Sequence, residues 1–141
     1  MTGEKTKVLL HAEDDAAHAA IVRLAIQRSL ENVQLMQVDD GKAALDYLYR
    51  RGSYQDQALS PRPDLILLDI RMPQVSGLEV LAIAKQDAKL RDIPVAILTT
   101  SDAEEDRSEA NTHGVDSYLT KPVNFDKFIS MLDELCADFL Q

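Results

Sequence analysis

Five short apolar runs, each followed by a segment whose apolar residues recur every three or four positions, succeed one another along this 141-residue chain. That alternation admits few folds. A run too apolar to keep one face in water must be covered on both, which is the situation of strands in a parallel sheet with helices packed above and below. The first run covers about Lys7–Ala12, and Asp15 then stands where an N-cap starts a helix with Ala19, Ile21, Val22, Ala25, Ile26 and Leu30 at helical spacing. Val33–Val38 reads as a second strand and Gly41 to about Arg50 as a second helix. The polar stretch 51–63 is long for a helix-to-strand connection and belongs on the surface. Asp64–Asp69, Val95–Thr99 and Ser117–Leu119 supply the remaining strands. Ser76-Gly-Leu-Glu79 and Ser101-Asp-Ala-Glu104 match the capping box, so the third and fourth helices should begin there. Asn124 is placed to cap the last helix, whose Phe125, Phe128, Ile129, Leu132, Leu135, Cys136 and Phe139 form one face.

These five pairs predict a single α/β domain spanning 1–141 with its core at about 7–140, built on a parallel sheet, and the expected arrangement is a doubly wound sheet of flavodoxin-like (βα)5 type, for which the strand order is taken as 2-1-3-4-5. No internal repeat or linker divides it, and no output domain is expected beyond Gln141. Acidic residues outnumber basic ones by 24 to 15, which argues against nucleic acid, whose phosphates call for Lys and Arg, and against an anionic membrane surface. The opening Met-Thr-Gly-Glu-Lys lacks the apolar centre of a signal peptide, and no apolar run approaches the roughly 20 residues that span a bilayer. The expected location is therefore cytoplasmic. Cys136, the single cysteine, falls on an apolar helical stripe and reads as core filler.

What the strands carry at their ends is more telling than what they bury. Glu13-Asp14 closes the first run and Asp69 closes the third, while Thr99 ends the fourth and Lys121-Pro122 follows the fifth. In this strand order the chain reverses direction between the first and third strands, and ligands bind outside the carboxyl ends of the strands at that point. Glu13, Asp14 and Asp69 would converge there. Three neighbouring carboxylates repel one another unless they are protonated or metal-bound, and Mg2+ suits one or two carboxylates, a backbone carbonyl and retained waters. A hydroxyl and an ammonium opposite that cluster can hold the oxygens of a phosphoryl group.

With these residues in view the chain resembles the receiver domains of two-component response regulators, from about Lys7 to Leu140. The resemblance rests on Ala12-Glu13-Asp14-Asp15, on Asp69-Ile-Arg-Met-Pro73 with Ser76-Gly77, on Pro94-Val-Ala-Ile-Leu-Thr99-Thr-Ser101, and on Gly114-Val-Asp-Ser-Tyr118-Leu-Thr-Lys121-Pro122. It implies that Asp69 is the phosphoacceptor, that Glu13, Asp14, Asp69 and the backbone carbonyl of Arg71 surround Mg2+, and that Thr99, Thr100, Tyr118 and Lys121 bind the phosphoryl group and form the switch. It also implies a cis peptide between Lys121 and Pro122. Gly52-Ser-Tyr54, Pro61-Arg-Pro-Asp-Leu-Ile-Leu-Leu-Asp69 and Leu98-Thr-Thr-Ser101 are, more narrowly, similar to the stand-alone regulators that serve phytochrome-type histidine kinases.

The function so implied is non-enzymatic: Asp69 accepts a phosphoryl group from a histidine kinase and the event switches a surface made by the fourth helix, fifth strand and fifth helix. An intermediate place in a phosphorelay is the alternative. A pseudo-receiver is opposed by the intact Glu13, Asp14, Asp69, Thr99 and Lys121, and a phosphohydrolase of the haloacid dehalogenase type needs a second acid where Arg71 stands. Between Asp102 and His113 the fourth helix has only Ala103 and Ala110 as apolar residues, so it should be weakly held. Met131 and the terminal Phe139-Leu140 are more apolar surface than one helix face requires, which suggests a homodimer through the same side. His11, inside the first strand, must find a partner or stay neutral among apolar neighbours, and the Arg71 side chain can reach over the acceptor and prolong the life of its phosphoryl group.

Overall fold

A computed structural model describes residues 6–29 and 32–140. The elements run β1 (Lys7–Ala12), α1 (Ala16–Ser29), β2 (Val33–Val38), α2 (Gly41–Leu48), a short 3-10 turn (Gly52–Tyr54), β3 (Leu65–Leu68), α3 (Gly77–Gln86), β4 (Val95–Thr99), α4 (Glu104–Thr112), β5 (Ser117–Thr120) and α5 (Phe125–Phe139). The strands form one parallel sheet in the order β2-β1-β3-β4-β5, with β3 at its centre. This is the predicted architecture, and the boundaries of β1 and β2 are those expected. Leu30 lies outside the described residues.

All four residues of β3 are buried, and their two faces feed two cores. Ile66 and Leu68 join Leu10, Leu81 and Ile97 beneath α2 and α3, while Leu65 and Leu67 join Leu9, Val22 and Leu132 beneath α1 and α5. A strand with this period-two division is apolar throughout because neither face meets water.

Helix starts follow the caps with one exception. The Asp15 carboxylate accepts from the amides of Ala17 and His18, Ser76 Oγ from Glu79, and Asn124 Oδ1 from Lys127. The expected box at Ser101 does not form. Its hydroxyl donates to Asp106 Oδ2 at 2.5 Å and accepts from the Ala103 amide, so α4 begins at Glu104 with Ala103 at the cap position and no side-chain cap. The Ser101 amide, which Glu104 would have to reach back to, already donates to Thr99 Oγ1. Segment 51–63 is mostly exposed, as expected, yet it is pinned: Tyr54 packs against Tyr47, whose hydroxyl donates to the Pro61 carbonyl at 2.7 Å, and Ser60 is buried.

The apolar surplus foreseen on α5 is absorbed by the fold. Leu140 is buried, and Met131 and Phe139 are half-buried against the core beneath α1 and α5; Phe125, assigned to the buried face, is exposed instead. The reason is that α5 packs along α1, which widens the face it can bury.

Gly77 is held against main chain, as is Gly41 against Val75. A β-carbon at Gly77 would stand 2.0 Å from the Asp69 carbonyl oxygen, backbone against backbone. Gly77→Ala should therefore cost about 3 kcal/mol, at the upper end of overpacking penalties, since no side chain can swing aside. A urea titration tests this, and a loss below about 1 kcal/mol would show that the first turn of α3 can lift freely.

Candidate functional site

β1 and β3 lie side by side, and past their carboxyl ends the chain turns into loops. The Asp69 amide donates to the Ala12 carbonyl at 3.2 Å and the Glu13 amide to the Val38 carbonyl at 3.1 Å, so sheet bonding continues one residue past each strand and fixes where both acids emerge. Asp69 is 8% exposed and Glu13 3%, while Asp14 is open to solvent. Carboxylate oxygens of Glu13, Asp14 and Asp69 all lie within 4.8 Å of one another. One more acceptor is already committed: Asp69 Oδ1 takes the Ile70 amide at 2.8 Å, which orients the carboxylate and leaves Oδ2 facing inward.

Lys121 meets this cluster from β5. Its amide donates to the Thr99 carbonyl at 2.7 Å, continuing the β4–β5 pairing, and its ammonium donates to Glu13 Oε1 at 2.6 Å, to His18 Nδ1 at 2.8 Å and, more loosely, to Asp69 Oδ2 at 3.4 Å. The side chain is 3% exposed, so this is a charge withdrawn from water and held only by these partners. Burial pushes the Glu13 carboxyl up to about 7; the Lys121 ammonium pulls the other way, and Asp69 pushes with it. The donor set suits a divalent cation. It offers hard oxygens only, from three side chains on two loops, with Asp14 open to water for the remaining coordination positions.

Thr99 is fully buried, and its hydroxyl oxygen accepts from the Ser101 amide at 3.2 Å. Thr100, next to it, is exposed and lines a groove of about 270 Å3 with His18, Ile21, Lys121, Pro122 and Val123. Tyr118 is half-buried: its hydroxyl donates to the Ser101 carbonyl at 3.0 Å and its ring lies 4.4 Å beneath the Arg107 guanidinium. Arg71 is exposed, and its guanidinium reaches Asp106 at 3.8 Å, on the first turn of α4. Ser101, Asp106, Arg71, Tyr118 and Arg107 thus hold the start of α4 by polar contacts, while Ala110 is the only buried residue of that helix.

The cis bond expected between Lys121 and Pro122 is absent; the described residues contain no cis peptide. Trans is the lower-energy isomer even before proline, and the end of β5 delivers the ammonium to the crevice without it. His11 is buried and neutral. Gln37 Nε2 donates to its Nδ1 at 3.2 Å and to the Ala19 carbonyl at 2.9 Å, while Gln37 Oε1 accepts from Arg23 at 2.7 Å. Burial, with the Lys121 charge adding to it, pulls the His11 pKa down to about 3.

The residues the sequence pattern passed over are His18 and Asp106. His18 follows Asp14 by four positions in a helix that starts between them, a spacing that keeps it near the crevice; nothing in its alanine-rich surroundings marks it.

The response regulator receiver domain family matches residues 9–133. Response regulator Rcp1 of Synechocystis sp. is 38% identical over 135 residues, covering 96% of this chain and 90% of that one. A probable methanogenesis regulatory protein, FilR2 of Methanothrix harundinacea, is also 38% identical, covering 96% and 84%. Among solved structures, the Mn2+-bound form of Rcp1 superposes with a TM-score of 0.87, covering 96% of this chain and 95% of that one. The phosphorylated cyanobacterial phytochrome response regulator RcpA, at 34% identity, gives 0.88 over 96% and 94%.

Proposed function

The chain belongs to the response regulator receiver family, and from that membership we propose that Asp69 accepts a phosphoryl group from the phosphohistidine of a histidine kinase, with Mg2+ as the resident cation. The observation that carries this reading is the buried Lys121 ammonium bonded to Glu13 and within 3.4 Å of Asp69. Asp69 Oδ2 attacks phosphorus, the phosphorus–nitrogen bond breaks, the imidazole of the kinase leaves with a proton from solvent, and an aspartyl phosphate remains. Lys121 neutralises charge on the transferring oxygens, and the exposed Thr100 stands beside it at the mouth. Mg2+, held by Glu13, Asp14, Asp69 and the Arg71 carbonyl, would add its own charge to that neutralisation.

The readout is the face of α4, β5 and α5. A new dianion at Asp69 competes for the Thr99 hydroxyl and for the Arg71 guanidinium now near Asp106. Either shift disturbs Ser101, whose carbonyl holds the Tyr118 hydroxyl, and so reaches the exposed side of α4. Rcp1 and RcpA, one of them described as a phytochrome response regulator, make a phytochrome-type kinase the preferred donor. The protein is expected to work in the cytoplasm; no helix of the described residues is long and apolar enough to cross a membrane.

Incubation with acetyl phosphate and Mg2+ tests the central step. One added phosphoryl group, labile to base and lost on exposure to hydroxylamine, is the expected result; no uptake, or uptake undiminished by EDTA, would defeat it. Asp14→Ala should lower Mg2+ affinity at least tenfold while leaving the melting temperature unchanged or higher, because it removes one hard ligand and a like charge together. Calorimetric titration reads the first effect and thermal melting the second; a variant that melts lower and binds Mg2+ normally contradicts the assignment.

A further inference from the structure

The three protons of the Lys121 ammonium are shared among Glu13, Asp69 and His18. Two of these partners are the carboxylates that a divalent cation needs. Metal and ammonium therefore compete for the same oxygens, and an ammonium 3% exposed cannot turn to water when it loses them. His18 is the partner the metal does not claim. An ammonium only donates, so Nδ1 accepts and the ring proton sits on Nε2. The imidazole stands at the start of α1, its side chain 30% exposed, with its Nδ1 4.0 Å from Glu13 Oε1 and 3.9 Å from Asp15 Oδ2.

We infer that His18 is a positioning residue for Lys121: its neutral Nδ1 keeps the ammonium bonded, and aimed at the phosphoryl position, when a divalent cation draws Glu13 and Asp69 away. This rests on the phosphoacceptor reading for the second half of that role and on the acidic cluster alone for the first. Without the imidazole, metal binding would leave a buried cation short of acceptors, so the metal must bind less tightly. An asparagine at the same place presents its side-chain oxygen where Nδ1 stands and should serve as well; a leucine fills the space and accepts nothing.

Calorimetric titration of Mg2+ into the wild type, His18→Leu and His18→Asn separates these. The leucine variant should bind Mg2+ about ten- to a hundredfold more weakly, the size expected for one lost hydrogen bond to a charge, with asparagine within about twofold of wild type. In single-turnover phosphorylation by acetyl phosphate at saturating Mg2+, leucine should lower the maximal rate and leave the half-saturating acetyl phosphate concentration unchanged. Leucine binding Mg2+ like the wild type, or asparagine failing to rescue it, overturns the inference. Should the wild type take no phosphoryl group while the leucine–asparagine split in Mg2+ affinity persists, the phosphoacceptor reading falls and the role of His18 at the metal stands. Melting curves in metal-free buffer check folding, and His18→Gln, whose longer side chain brings an acceptor to the same ammonium, replaces the leucine comparison if that variant does not fold: it too should exceed His18→Ala in Mg2+ affinity.

Discussion

Asp69→Asn is expected to take up no phosphoryl group from acetyl phosphate under conditions where the wild type takes one. The carboxylate supplies the attacking lone pair; an amide oxygen, with its electrons delocalised and its charge removed, attacks phosphorus too slowly to register. Folding should survive the change, since the Ile70 amide now bonded to Oδ1 can keep an oxygen partner and the cluster loses one of three like charges. Stability equal to or above that of the wild type is therefore part of the expectation. Intact-mass measurement settles it, and a phosphorylated Asn variant would move the acceptor to Glu13 or Asp14.

The second large effect is on acid stability, and it belongs to His11. Unfolded, this imidazole titrates near 6.5; folded, it is pulled down to about 3. Between those values the unfolded chain binds the extra proton, so stability rises with pH across that window, is complete above about 6.5, and is lost as pH falls toward 3. The full span corresponds to about 5 kcal/mol at roughly 1.4 kcal/mol per pH unit. Glu13 acts in the opposite sense. Its folded carboxyl holds a proton up to about 7 that the unfolded one gives up near 4.5, so its contribution falls as pH rises through that range and masks part of the His11 effect. The unmasked region is therefore pH 3 to 4.5. His11→Leu should cost about 1 kcal/mol at pH 7, where Gln37 loses an acceptor, yet show a much shallower fall in urea stability from pH 4.5 to pH 3 than the wild type. Parallel curves for the two proteins would mean that the imidazole finds a proton in the folded state.

Where the chain announces its structure, it does so by placing charge against apolar sequence. β3 is legible because four aliphatic residues run into Asp69, and the meeting of Glu13, Asp14, Asp69 and Lys121 is legible because strand order alone brings those ends together. What escaped depends on small differences among nearby alternatives. The Ser101 amide had the Thr99 hydroxyl within reach as well as the Glu104 carboxylate, and composition does not rank them. The isomers of the Lys121–Pro122 bond differ by about 0.5–1 kcal/mol in the chain alone, too little for sequence to decide. Leu140 and Met131 looked surplus because the extent of the α1–α5 contact is a property of packing. His18 was invisible for a different reason: its role comes from one partner 103 residues away.

The close approach of Gly77 to Asp69 gives the crevice a direction. On that side the Asp69 carbonyl is walled by main chain, with no room for a single added carbon. On the other side stand a hydroxyl, an ammonium and a helix with one buried residue. A charge added at Asp69, as proposed, would therefore meet an anvil on one flank and a hinge on the other, and would act toward α4 because recoil toward α3 is sterically closed.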